Sequence, residues 1–446
     1  MNRNEQNGAV IRLRPQDAKE AWIQPEVTEG MIWVENGTLS APELDGDVTA
    51  AHTKGLKYQS DEDYLNAIVV RGGDYEVSDV ELSLSGYGCS DFTCKGTGIL
   101  ADMGSHVTVS DTKIVTEGVT RAATIATRGS TLVIRDSVLD SRGGPFPPGY
   151  VPVIGPGMME PPAPLGLGGN CRTHLSMDNS ETFLYNCKVY AAGWAALSTD
   201  ASGGYVYLEA NDTEVNVSGN GYCVYSDNGC HARLNRCDLK TGNMAVIQDG
   251  NSSVVLEDTK AVCGQVGFML HGGMPEKKDC GIIRVSGSEI TSQLEMFRCK
   301  STNVDVCVKN STLRAENGVL IRTMTSDDEF YHKTRSHSPS DYGVQFTLED
   351  MTAEGDVLRE DPERKLRLSL DKASLKGGLL GGVDLWLYDG AWTATKNSLV
   401  VLHSNDLAGI DAETGVIITA YAGEGCTLDA VYTLPSGGVL TMAEVN

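Results

Sequence analysis

The sequence predicts an all-β chain folded as a single right-handed parallel β-helix of about 11–13 coils, with loop insertions. Three observations carry that reading. A short alternating pattern recurs about every two dozen residues, glycine is abundant at 50 of 446 residues, and no helical periodicity competes with it. Period-2 alternation marks strands, and a repeat in the twenties marks a solenoid.

Each copy of the pattern is an alternating strand, a polar or small residue, Ser/Thr/Cys, any residue and an aliphatic. Instances are "TVSDTKI", "VIRDSVL", "FLYNCKV", "LEANDTEV", "RLNRCDL", "VLEDTKA", "RVSGSEI" and "CVKNSTL", with looser copies "TLEDMTA" and "LSLDKASL". The Ser/Thr/Cys marker falls at Thr112, Ser137, Cys187, Thr213, Cys237, Thr259, Ser288 and Ser311, then at Met351 and Ala373. Strands stacked at about 4.8 Å would line these markers into an internal ladder at one corner. Cys187 and Cys237, about two coils apart, are then small buried ladder residues, too distant for a disulfide.

Composition narrows the function. The formal net charge is −24, from 60 acidic and 36 basic residues, which disfavours nucleic acid and other polyanions as partners. The same argument runs against pectate or heparin as substrate. No 18-residue apolar run is present, so no membrane span is expected. The start, "MNRNEQNGAVIRLRPQ", has no apolar h-region, from which a cytoplasmic protein with reduced cysteines is expected. None of the 12 cysteines forms a C-x-x-C pair, so zinc-ribbon and thioredoxin readings have no support. No nucleotide or metal motif is present, and no cofactor is expected.

Residues 1–55 are read as a cap with the first coil, 56–385 as the β-helix with insertions at 143–170, 272–280 and 325–343, and 386–446 as the last coils and C-terminal cap. The segment 143–170 holds eight of the 15 prolines and one charged residue, Glu160. Its prolines stiffen it, while Met158 and Met159 offer adaptable apolar contact.

The segments "SDEDYLNAIVVRGGDYEVSDVELS", "GILADMGSHVTVSDTKIVTEG", "GYCVYSDNGCHARLNRCDLKTGNMAVIQDGNSSVVLEDT" and "GFMLHGG" resemble the repeats of pectate-lyase-like right-handed β-helix proteins common in Clostridia-type bacteria. The C-terminal "DGAWTATKNSLVVLHSNDLAGIDAETGVII" resembles the end of those chains. The resemblance covers roughly residues 55–440 and implies the fold. It carries over no catalytic residue, because the polygalacturonase N-T-D, D-D, G-H-G and R-I-K set and the pectate-lyase R-x-P-x-x-R block are absent.

The strand after each marker offers a candidate site. Its apolar column Leu197, Val224, Val246, Met269, Phe297 and Ile321 is read as facing the core. Alternation then turns the neighbours outward, giving an apolar outer face of Ile247, Phe268, Leu270, Met296 and Leu320. The large insertions all adjoin this sheet, so 143–170 is read as a lid over it, or alternatively as a contact between copies in a homo-oligomer. An apolar face with convergent polar groups predicts a small-molecule ligand. His174, His271, Tyr225 and Arg172 are the catalytic candidates, a histidine or tyrosine as acid or base and an arginine holding a developing oxyanion. Arg298, Arg322, Phe268, Met296, Leu320, Ile247, Met158 and Met159 are the binding candidates. Asp200, Asp227 and Asp249 recur at the strand ends and are read as turn formers, not as metal ligands. The expected activity is a cofactor-independent isomerase or lyase acting by proton transfer on a small, mostly apolar molecule, such as a plant phenolic or cyclic enone. A non-catalytic adhesin-like or binding β-helix is the alternative, and a polysaccharide lyase or glycoside hydrolase a weaker one.

Overall fold

A computed structural model describes residues 30–90, 92–153, 157–162, 165–200, 205–272, 280–326 and 343–443. The expected insertions at 272–280 and 325–343 fall largely outside the described residues, as does most of the expected N-terminal cap. The chain divides into two compact units, 1–247 and 248–446, and each is a parallel β-helix.

In the first unit three stacks of short strands run in parallel. The first contains Thr124–Ala126, Arg172–Met177, Trp194–Asp200 and Gly221–Ser226. The second contains Thr131–Arg135, Glu181–Tyr185, Val206–Asn211 and Cys230–Asn235. The third runs from Lys57–Ser60 through Glu81–Ser85 and Lys113–Glu117 to Asp238–Thr241. The first described strands, Gly30–Glu35 and Thr38–Ser40, form an antiparallel pair. The second unit repeats the plan, with Phe268–His271, Phe297–Lys300 and Val319–Met324 in its first stack. It closes on the antiparallel pair Val431–Thr433 and Val439–Met442.

The recurring pattern has a backbone cause. The residue before each marker turns the chain with positive φ: Asp111, Asp136, Asn186, Asp212 and Arg236 in the first unit, then Asp258, Gly287, Asn310, Asp350 and Lys372 in the second. Asp, Asn and Gly tolerate that left-handed conformation best, which explains their prevalence there. The marker side chain then points inward. Ser137 Oγ donates to Arg135 O (2.6 Å) and accepts from Thr112 N (3.1 Å). Ser288 Oγ does the same with Ser286 O and Thr259 N. Thr213 Oγ1 accepts from Cys187 N, while the Cys187 and Cys237 thiols donate to Tyr185 O and Asn235 O. These hydroxyls therefore bond backbone groups at the corner, beside inter-coil backbone bonds such as Asp111 N to Arg135 O and Asp136 N to Tyr185 O. Burial pushes the Cys237 thiol up to about 11.

Apolar columns fill the interior. In the third stack Leu82, Ile114, Leu139, Val189, Val215 and Leu239 lie in register and are at most 3% exposed. Each such burial contributes roughly 1.5–3 kcal/mol. In the second unit Phe297 lies between Phe268 (ring centroids 4.6 Å) and Phe346 (5.1 Å).

This register corrects the expected core column. Phe268 pairs with Phe297 and Phe297 with Ile321, whereas Met269 pairs with Arg298. The run Phe268-Met269-Leu270 has no polar residue to fix its phase, and a one-residue slip exchanges the two faces. Phe268 therefore belongs to the core column and not to an outer face.

Candidate functional site

In the first stack of the first unit, Ile68, Ile99, Thr124, His174, Leu197 and Val224 form the inward column, all fully buried. His174 is thus a core residue, contrary to the outward placement expected for a catalytic group. Its Nδ1 lies 2.9 Å from Thr124 Oγ1 and its Nε2 2.8 Å from Ser176 Oγ, which continues to Thr182 Oγ1 at 2.8 Å. Desolvation pushes its pKa down to about 3, so it is neutral. A proton donor or acceptor sealed in the core has no path to a substrate.

The expected outer apolar face is also corrected. Met296 and Leu320 are fully buried, as are Ala196, Cys223 and Ala245, which likewise precede the expected core residues Leu197, Val224 and Val246. At Trp194 the strand begins at a bend of φ 48°, and the residues before the core column turn inward too. The Cys223 thiol, for example, bonds Lys240 O. Ile247 is 1% exposed and offers no free surface either.

The true outward column here is Val69, Leu100, Ile125, Leu175, Ser198 and Tyr225. Val69, Leu100 and Ser198 are fully buried, and Ile125 and Leu175 nearly so. A solvated sheet would carry polar, accessible residues at these positions, so this face is covered. Over Ile125 and Leu175 the roof is made by described residues of the loop between Gly86 and Thr97. Phe92, Cys94 and Lys95 of that loop, with Ser90, line a recess floored by Ile125 and Leu175 and walled by Thr120, Ala122, Arg172 and Trp194. The recess spans about 310 Å³ including its open mouth, but its closed part holds roughly one water molecule. Phe92 and Cys94 have positive φ of 70° and 61°, a conformation that costs a bulky side chain energy and persists only where surroundings impose it.

Arg172 is the charged centre. Its guanidinium lies 4.6 Å from the Trp194 ring centroid and 5.2 Å from that of Phe92, and it pairs with Asp200. Two spacings along the stack, Tyr225 OH donates to Asp227 Oδ1 (2.9 Å), and between them Ser198 Oγ and Tyr222 OH are 2.9 Å apart. The strand-end aspartates therefore hold side chains, a role beyond the turn formation expected of them. Of the catalytic candidates, Arg172 and Tyr225 share this face.

The segment 143–170 borders the face. Gly168 N donates to Asn220 O (2.8 Å), Gly168 O accepts from Trp194 N (2.5 Å), and Gly166 O accepts from Asn243 Nδ2 (3.0 Å). It thus follows the turns leading into the sheet, and its described residues do not line the recess. Met158 is buried, while Met159 is half-buried with its N–H on Tyr150 OH.

In the second unit the remaining candidates serve other ends. His271 Nδ1 lies 3.5 Å from Asp249. Arg298 binds Glu295 (2.5 Å), and Arg322 spans Glu295 (3.1 Å) and Glu360 (2.9 Å). These hydrogen bonds and charges, outweighing desolvation, keep the Glu295 carboxyl below its usual range. Among the described residues no three His, Cys, Asp or Glu side chains converge as a bound cation would require.

Phe92, Lys95, Trp194 and Tyr222 were not singled out from sequence. A signal existed: the turn residues Asp79 and Asp111 lie 32 positions apart, against 25 for Asp111 and Asp136, and the excess is the roof.

No protein-family model matches the chain, and no curated protein matches it. Among solved structures the chain is similar to the Dettilon tailspike protein at 10% identity and a TM-score of 0.31, over 85% of this chain and 61% of that one.

Proposed function

We propose that the protein is an isomerase or lyase that moves a proton on a small, mostly apolar, carbonyl-bearing molecule laid along the outward face of the first unit's first stack. One observation supports this reading above others. The Ile125–Leu175 part of that face is roofed rather than solvated, with the Arg172–Asp200 pair beside it, and the half-buried Tyr225 with its partner Asp227 lies further along the same face. From Leu175 past Ser198 to Tyr225 is two strand spacings, about 10 Å, the length of a two-ring molecule. Arg172 would hold the developing oxyanion, Tyr225 would pass the proton with Asp227 as its acceptor, and Phe92 and Trp194 would stack on the ring system. Entry requires the roof to lift, since the closed recess is too small for such a ligand. The pectate-lyase-like resemblance bears on ancestry and not on this chemistry.

The test is solvent-derived label. A panel of cyclic enones and hydroxylated aromatic ketones is incubated with the protein in D₂O and deuterium uptake beside the carbonyl is followed by mass spectrometry. The wild type should exchange at least one class, and Tyr225→Phe should slow it by about 10²–10⁴-fold. Wild-type speed in Tyr225→Phe and in Arg172→Met would remove the assignment.

A second observation favours the binding alternative. On the second stack Phe183, Tyr207, Tyr205 and His231 form a partly exposed aromatic strip, with ring centroids 5.8 Å (Phe183–Tyr207), 6.4 Å (Tyr205–Tyr207) and 5.3 Å (Tyr205–His231) apart. Were the protein a binder, Tyr205→Ala would abolish its ligand uptake and Tyr225→Phe would not.

A further inference from the structure

Arg121 is fully buried, yet among the described residues its guanidinium bonds no carboxylate. Instead Nη1 donates to Glu62 O (3.0 Å), Ser85 O (2.8 Å) and, more weakly, Tyr87 O (3.5 Å), while Nη2 donates to Leu65 O (2.9 Å). Burying a cation that bonds no carboxylate is costly; desolvation lowers its pKa to about 10, although the nearby Asp63 charge acts to raise it. The carbonyls it gathers lie on the segment before the roof and on the roof's leading foot. The trailing foot joins the same node, because Gly96 N donates to Tyr64 O (3.1 Å) and Tyr64 N to Tyr87 O (2.7 Å). The flanking backbone adds the second loop: Gly118 N donates to Gly143 O (2.8 Å) and Thr120 N to Asn170 O (2.7 Å). Asn170 in turn bonds Gly144 through both side-chain atoms, closing the base of the proline-rich segment.

We infer that Arg121 is a positioning residue: it locks both feet of the 86–97 roof and so holds Phe92 down on Arg172. The two residues beside it, Thr120 and Ala122, line the recess while its own side chain reaches away to the feet. A four-carbonyl clamp lets the roof sustain positive φ at Phe92 and Cys94, and it releases as a unit when the feet part. The consequence for ligand entry rests on the reading of the recess as the site; the clamp itself does not.

Hydrogen exchange on the full chain, without ligand, tests it. In Arg121→Met, peptides over 85–98 should exchange about tenfold faster or more, with those over 131–141 and 206–217 unchanged. Arg121→Lys, which keeps the charge but fewer donors, should restore part of the protection. Gly96→Ala is an independent opening of the foot, since its Cβ would lie 3.0 Å from Gly88 Cα and 3.3 Å from Arg121 Cγ. Unchanged exchange over 85–98 in Arg121→Met overturns the clamp. So does protection lost uniformly across the first unit in both Arg121→Met and Gly96→Ala, which would make Arg121 a support of the coil. A confirmed clamp beside a Tyr225→Phe variant of wild-type activity would sink the site reading alone.

Discussion

His174 should make the first unit acid-sensitive in a calculable way. The folded imidazole has its pKa pushed down to about 3 by complete burial, while in the unfolded chain it returns to about 6.5. The unfolded state therefore binds the proton more readily, and stability is full above about pH 6.5 and lost as pH falls toward 3. At pH 5 the gap from 6.5 is 1.5 units, and at about 1.36 kcal/mol per unit the loss from this side chain is roughly 2 kcal/mol. The comparison is wild type against His174→Gln, in urea titrations followed by circular dichroism at pH 7.5, 6.0 and 5.0. The variant should be less stable at pH 7.5, having lost the fit to Thr124 and Ser176. Between pH 7.5 and 5.0, however, it should lose about 2 kcal/mol less than wild type, since the other histidines are common to both proteins. Imidazole ¹⁵N shifts offer a direct check, with His174 staying neutral at pH 5. Equal pH slopes, or a His174 that titrates near 6.5, would refute its inward placement.

Other outcomes follow from the same structure. Phe297→Ala removes the centre of the Phe268–Phe297–Phe346 stack and should cost about 3–5 kcal/mol by chemical denaturation; a cost under 1 kcal/mol would contradict the register. Asp102, fully buried between Arg71 and Arg128, should when changed to Asn lose about 3–5 kcal/mol, read from the urea midpoint. Replacing 145–166 with a short Gly/Ser link should leave the β circular-dichroism spectrum and the sedimentation mass unchanged, because the ladder strands lie elsewhere. A halved mass would instead make that segment a contact between copies.

The sequence by itself determined the repeat, the strands and the marker ladder. Those are local: an aspartate or asparagine in the left-handed turn, then a small hydroxyl or thiol whose inward side chain must satisfy backbone groups at a corner. Ser137, Thr213 and Ser288 announce themselves because turn geometry and hydrogen-bond accounting act over a few residues. Facing was legible only where polar and apolar residues alternate. In Phe268-Met269-Leu270 both phases are apolar, and the neighbouring coil, through Phe297 and Ile321, chose between them. His174 shows the same limit, since a polar residue at a core position reads as outward until Thr124 and Ser176 supply its partners. What covers the outer face was decided by the tertiary structure alone. Over Ile125 and Leu175 the described cover comes from the 86–97 loop, whose leading foot is bonded by Arg121, 34–59 residues from the carbonyls it holds. A contact of that separation leaves no periodic trace in the chain, only the seven extra residues between two turns.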